Sequence, residues 1–129
     1  MSSSIKAGAV LYARSIHLLG AFYQAVTGLE QTHTESDHLI LESPTFQLVI
    51  LQVPAAVAAS IDITVPPKRR TEVPVKLVFP VGNIAQARAA AARQGGELNP
   101  VQREWEFQGA RVCDGQDPEG NVIQVRQPR

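Results

Sequence analysis

Residues 75–96 read Val75-Lys76-Leu77-Val78-Phe79-Pro80-Val81-Gly82-Asn83-Ile84-Ala85-Gln86-Ala87-Arg88-Ala89-Ala90-Ala91-Ala92-Arg93-Gln94-Gly95-Gly96. Two elements stand back to back in this stretch. Val75 to Val81 is a short apolar run that suits a strand. Asn83 then offers a side-chain acceptor where a helix start leaves amides unpaired, and Gln86 sits where the reciprocal partner of a capping box belongs. Ile84, Ala87 and Ala91 make a narrow apolar stripe within a run of alanine, the best intrinsic helix former. Gln94-Gly95-Gly96 stops the helix, because glycine takes positive φ at no steric cost.

Outward from this stretch the same order occurs on both sides. Strands are expected downstream at 97–102, 107–114 and 121–127, with Asp117-Pro118-Glu119-Gly120 as a turn before the last. Upstream, residues 8–13 form an apolar run and Ser15 suits an N-cap. Leu18, Leu19, Phe22, Tyr23 and Val26 then build one helical face, and Gly28 closes it. Three strand-like pieces follow near 29–35, 38–42 and 45–53, broken at Ser36-Asp37 and Ser43-Pro44. Strand, helix and three strands therefore occur twice, and such a repeat carries more information than any single segment. Residues 54–72 interrupt the pattern. Pro54 to Ser60 suits a short helical turn, and Pro66-Pro67-Lys68-Arg69-Arg70 reads as a solvated, extended connector rather than a phosphate site.

Composition narrows the function classes. A chain of 129 residues suits one domain, burying roughly two-thirds of its unfolded surface without disulfides or structural zinc. Apolar residues are 44% and charged ones 19%, a globular balance. Twelve basic side chains offset twelve acidic ones, so no overall field favours nucleic acid or an anionic membrane. The single cysteine, Cys113, excludes an internal disulfide and any multi-cysteine zinc site; it reads as a small core residue. Met1-Ser2-Ser3-Ser4-Ile5-Lys6 holds no apolar leader core, and no apolar run reaches the ~18 residues of a membrane span. The expectation is a soluble, cytoplasmic protein.

Three stretches resemble the vicinal-oxygen-chelate superfamily of glyoxalase I, bleomycin-resistance proteins and extradiol dioxygenases. Leu11-Tyr12-Ala13-Arg14-Ser15 with Ala21-Phe22-Tyr23 and Gly28-Leu29-Glu30 is similar to that family's first strand and helix. Phe79-Pro80-Val81-Gly82-Asn83-Ile84 resembles the lead into its second helix. Asp117-Pro118-Glu119-Gly120-Asn121-Val122-Ile123-Gln124 resembles its turn into the final strand. The resemblance implies an α+β fold: one domain over 1–129, with βαβββ modules at 5–53 and 74–127 joined by a linker at 54–73. The two modules would form a curved mixed sheet around a cleft, with the helices outside. Strand alternation would then place Gly8, Val10 and Tyr12, Gln47, Val49 and Leu51, Lys76 and Val78, and Val122, Gln124 and Arg126 on the concave side. Ile123 and Val125 would face the helix.

Metal-dependent relatives carry chelating side chains at one concave position on each of four strands. The motifs carry these positions onto Gly8, Val49 (or Gln47, if that strand is shifted), Lys76 and Gln124. Glycine and valine have no donor atom, and a protonated lysine repels a divalent cation. No metal and no other cofactor is expected. His17 is expected in solvent. His33 and His38 flank a turn with Glu35 and Asp37 between them, and read as a solvated turn, with His38 reaching the trough as the alternative. Lys76 has two readings: its ammonium reaches the rim or meets Glu104 or Glu106, or it replaces the metal's charge and meets an anionic ligand oriented by Gln124 and Tyr12. Trp105 suits stacking on a flat ligand, capping the core or a dimer contact.

Three functions stand against one another. The first is a metal-free module binding an anionic or carbonyl-bearing small molecule through Tyr12, His38, Gln47, Val49, Lys76, Val78, Trp105 and Gln124. The second is a lyase, isomerase or dioxygenase with an atypical or absent metal, and the third a structural or interaction paralogue. The resemblance also implies a homodimer, with neither nucleic acid nor membrane as partner.

Overall fold

The computed structural model describes residues 5–129. The first four positions of the leader reading lie outside the described residues. No helix among those described is long and apolar enough to cross a membrane.

The first module runs β1 (Ala7–Ala13), α1 (Ile16–Thr27), β2 (Glu30–Thr34), β3 (His38–Glu42) and β4 (Phe46–Gln52). Ser15 caps α1 by accepting from the Leu18 amide at 3.3 Å. Gly28 ends it at φ 76°, the left-handed conformation that glycine adopts without strain. The helix buries Ile16, Leu19, Gly20, Phe22, Tyr23 and Val26. Leu18, expected on that face, is 45% exposed, because it lies just past the edge of the buried stripe. The sheet order is β1-β4-β3-β2, with β1 parallel to β4 and the other pairs antiparallel.

A short helix, α2 (Ala55–Ser60), opens the connection to the second module. There β5 (Leu77–Pro80), α3 (Ile84–Arg93), β6 (Glu97–Leu98), β7 (Trp105–Phe107), β8 (Ala110–Gln116) and β9 (Val122–Pro128) form a sheet of order β5-β9-β8-β6, with β7 also on β8. The parallel β5–β9 pair repeats β1–β4. Asn83 caps α3 by accepting from the Gln86 amide at 2.9 Å, and Gln86 does not return the second bond of a capping box. The strand expected over 97–102 is only two residues long. Pro100 and a 3-10 turn at Val101–Arg103 break it, and β7 resumes the pairing on β8 after the interruption. The strand expected at 107–114 is a hairpin turning at Gln108 and Gly109, both at positive φ.

Both helices lie on one side of the sheets and pack on each other, and the core fills the space between. Leu39, Leu41, Leu48 and Ile50 from one sheet and Phe79, Cys113, Ile123 and Val125 from the other point into it, as strand alternation requires. The Asp117–Asn121 turn clasps the first module. Glu119 accepts from the amides of Arg14 and Ser15 at 2.9 and 2.8 Å, and the Tyr23 hydroxyl donates to Asp117 at 2.7 Å. Burial pushes the Asp117 carboxyl upward, against bonds from Asn121, Tyr23 and the amides of 119 and 121 that pull it down.

The connector is mostly exposed, as its charges suggest, but it is pinned at Pro67, Arg69 and Arg70. Arg69 donates to Gln116 at 2.7 Å and Asn99 at 2.9 Å, Gln116 donates to the Pro67 carbonyl at 2.7 Å, and the Arg70 amide donates to the Gly120 carbonyl at 2.9 Å. The buried amides of Gln116 and Asn99 need partners, and the strap supplies them.

Candidate functional site

Register aligns the concave side chains of the first sheet in rows. Val10, Val49 and Ile40 form one row, and Tyr12, Leu51 and His38 form the next. Gly8, Gln47 and Glu42 make the third. The expected parity of β4 thus agrees with its register, with Gln47 and Val49 on the side away from the buried Leu48 and Ile50. Val10 and Tyr12 are 55% and 66% exposed. The third row is polar: Glu42 accepts from Lys6 at 2.9 Å, Thr32 at 2.6 Å and Gln47 at 3.4 Å. The Thr32 hydroxyl first, then Lys6, holds the Glu42 carboxyl below the usual range.

His38 is half-buried beside Leu51, and its Nδ1 meets Asp37 at 2.8 Å, which lowers that carboxyl's pKa. The His33 ring lies 5.4 Å from that of His38 and pairs with Glu35 at 2.9 Å. Each histidine is thus matched to its own carboxylate on an open hairpin. Among the described residues no three His, Cys, Asp or Glu side chains converge as a metal site would require. His17 is exposed on α1.

In the second sheet, Trp105, Val112, Arg126 and Pro80 form one row, and Asp114, Gln124 and Val78 the next. A continuous polar chain crosses these strands. Lys76 Nζ donates to Asp114 at 2.7 Å, Gln124 Nε2 donates to the other Asp114 oxygen at 3.0 Å, and Arg126 Nε donates to Gln124 Oε1 at 2.7 Å. Arg126 also stacks on Phe107, 4.9 Å from the ring centroid. Lys76 therefore meets neither Glu104 nor Glu106. Trp105 faces the concave side, so its neighbours in sequence point the other way. There Glu104 pairs with Arg88 and Arg111, and Glu106 pairs with Arg129. Trp105 is 39% exposed and lies outside the core, so it does not cap it.

Asp114 was absent from the expected site, although its place was legible. Once Asp117 pairs with Asn121 across the turn, Asp114 must lie opposite Gln124. Arg126 was expected on the concave side but given no role. Cys113 is buried and donates to the Asn99 carbonyl at 3.3 Å, and burial raises its thiol pKa, which suits a core residue rather than a nucleophile. A cleft of about 320 Å³ that touches both β1 and β5 is lined by Val10, Tyr23, Val75, Leu77 and Val122. A neighbouring hollow of about 370 Å³ reaches Arg69, Lys76 and Asp114.

The four positions that the resemblance carries over as chelating do not suit a metal here. A side chain at Gly8 has no room, since a Cβ would stand 2.2 Å from the Gln47 carbonyl oxygen. Val49 is aliphatic, Lys76 is a cation already paired, and the Gln124 amide is bonded at both ends. Gln124 moreover lies opposite Val78 rather than Lys76. One amide oxygen, on Gln47, does not make a coordination sphere for a divalent ion.

Two βαβββ modules with their helices on one side and open troughs on the other define the class of protein: a paired-module scaffold of the vicinal-oxygen-chelate kind. The chain belongs to the family described as the glyoxalase-like domain, whose model matches residues 8–126. No curated protein matches it. Among solved structures it is similar to a glyoxalase/bleomycin resistance protein/dioxygenase family enzyme from Burkholderia phytofirmans PsJN, at 18% identity and TM-score 0.69, covering 95% of this chain and 98% of that one. It is also similar to a genomically encoded fosfomycin resistance protein from Listeria monocytogenes, at 15% identity and TM-score 0.65, covering 100% and 94%. A bleomycin resistance determinant encoded on the transposon Tn5 matches at 15% identity and TM-score 0.60, covering 98% and 99%. At these identities the likeness shows the fold alone.

Proposed function

We propose that the protein is a metal-independent receptor for an anionic or carbonyl-bearing small molecule, held on the concave faces of its sheets. One observation carries this reading. The large apolar side chains left in water on the sheets, Val10, Tyr12, Val78, Trp105 and Phe107, gather on the concave side beside a satisfied polar chain. Apolar walls with a few fixed polar groups are what small-molecule sites consist of, and exposed apolar surface of this kind marks a binding face. Tyr12, His38, Gln47, Val49, Lys76, Val78, Trp105 and Gln124 are the contacts in this reading, in a cytoplasmic homodimer.

Native mass spectrometry of freshly isolated protein, with metal analysis, tests it. The expected result is a metal-free dimer, with or without a small organic molecule carried through purification. A melting-temperature screen against small anionic and carbonyl compounds should then find ligands that stabilise the native state. Stoichiometric zinc, iron or nickel would overturn the metal-free part, and the absence of any stabilising ligand would overturn the receptor.

A further inference from the structure

Lys76 is neutralised by Asp114. The second cation of the same face is not. Among the described residues Arg126 meets no carboxylate: Nε is spent on Gln124, one face of the guanidinium lies on Phe107, and the terminal Nη groups make no hydrogen bond. Lys76, Asp114 and Arg126 together leave one net positive charge, and it sits on Arg126. That guanidinium is held from two sides before any ligand arrives, so little side-chain freedom remains to be lost on binding. Its planar fork matches an oxyanion with two coplanar oxygens.

What lies beside it sets the rest of the ligand. Register puts Trp105 in the same row as Arg126, two strands away, with Val112 between. Strand spacing makes that about 10 Å. Val112, between them, is fully buried and offers a ligand no surface, so the apolar contact on this row is Trp105, which is 39% exposed. A flat ring stacked on Trp105 would direct a short acidic side arm towards Arg126. A single unneutralised charge suits a monoanion better than a phosphate dianion.

We infer that Arg126 is the anion-recognition residue of this site and that its ligand class is an aromatic carboxylate whose ring stacks on Trp105. This rests on the receptor reading above and names its ligand chemistry.

The chain has one tryptophan, so its fluorescence reports directly on the row. Phenylacetate, 3-phenylpropanoate, acetate, phenylphosphonate and the uncharged phenylacetamide are titrated against wild type, Arg126→Gln, Arg126→Lys and Lys76→Met, with calorimetry in parallel. The expected pattern is saturable binding of the aromatic acids in preference to acetate. Arg126→Gln should weaken the acids about tenfold or more, as loss of a charge-assisted pair does, and leave phenylacetamide unchanged. Arg126→Lys should recover only part of the loss, and Lys76→Met, which frees the Asp114 carboxylate, should weaken the acids less than Arg126→Gln does. Equal acid affinity in wild type and Arg126→Gln would overturn the inference while leaving a small-molecule receptor standing, as would tighter binding of phenylphosphonate than of phenylacetate. If neither the acids nor phenylacetamide binds, the assignment fails. The receptor reading fails with it only if the wider melting screen also finds no ligand.

Discussion

Gly8 and Glu104 show how single residues settle what this scaffold holds and tolerates. A Cβ at Gly8 runs into the backbone of the neighbouring strand, so the missing chelator is a packing constraint as well as a missing side chain. Gly8→His should therefore not restore a metal site. It should lower the unfolding midpoint, at a cost of about 1–3 kcal/mol from overpacking, and take up no more zinc than wild type in equilibrium dialysis. Glu104 is nearly buried between Arg88 and Arg111. Burial pushes its carboxyl up, but the two guanidiniums outweigh this and hold it below the ordinary value of 4.5. A carboxyl lowered in the folded state stabilises above its unfolded pKa and loses that contribution as pH falls through the folded one. Glu104→Gln should thus cost about 1–3 kcal/mol at pH 7, and urea titrations should show the gap to wild type closing as pH drops below about 4.5.

At the scale of elements, the two helices start in the same way but do not depend on it equally. Both have a side-chain cap, Ser15 for α1 and Asn83 for α3. The amides ahead of α1 are also bonded by Glu119, about a hundred residues away and 5% exposed. Asn83→Ala removes one exposed cap and should cost about 1 kcal/mol. Glu119→Ala strips two part-buried amides of a charged acceptor and should cost about 2–3 kcal/mol, in equilibrium unfolding. Hydrogen exchange should separate them: loss of Glu119 should speed exchange in α1 and in the 117–121 turn together, because the clasp joins the modules, whereas loss of Asn83 should loosen α3 alone.

Across the whole molecule, the core and the proposed binding face occupy opposite sides of the same sheets. The helix-facing side carries the core, and the concave side carries Tyr12, Trp105 and Arg126. Trp105→Ala should consequently shift stability by less than about 0.5 kcal/mol, as surface changes do. It should nevertheless weaken an aromatic acid roughly tenfold, the loss expected when a stacking ring is removed, as calorimetry would show. A large loss of stability without loss of binding would place Trp105 in the fold instead.

Period and punctuation alone determined the duplicated order of elements, the starts of both helices, the αL stop at Gly28 and the parity that sends Ile123 and Val125 inward. These follow from local stereochemistry and from strand alternation, which act within a few residues. The same parity placed Gln47, Val49, Val78 and Gln124 on the concave side, so the candidate site was legible as a face. Its pairings were not. Lys76 found Asp114 rather than Glu104 or Glu106, Arg69 took two buried amides as partners, and the second strand of the second module broke at Pro100. Each depended on which distant polar groups needed partners once the strands were in register. Tertiary packing alone could decide that, because the cost of an unpaired buried group is defined only where burial is.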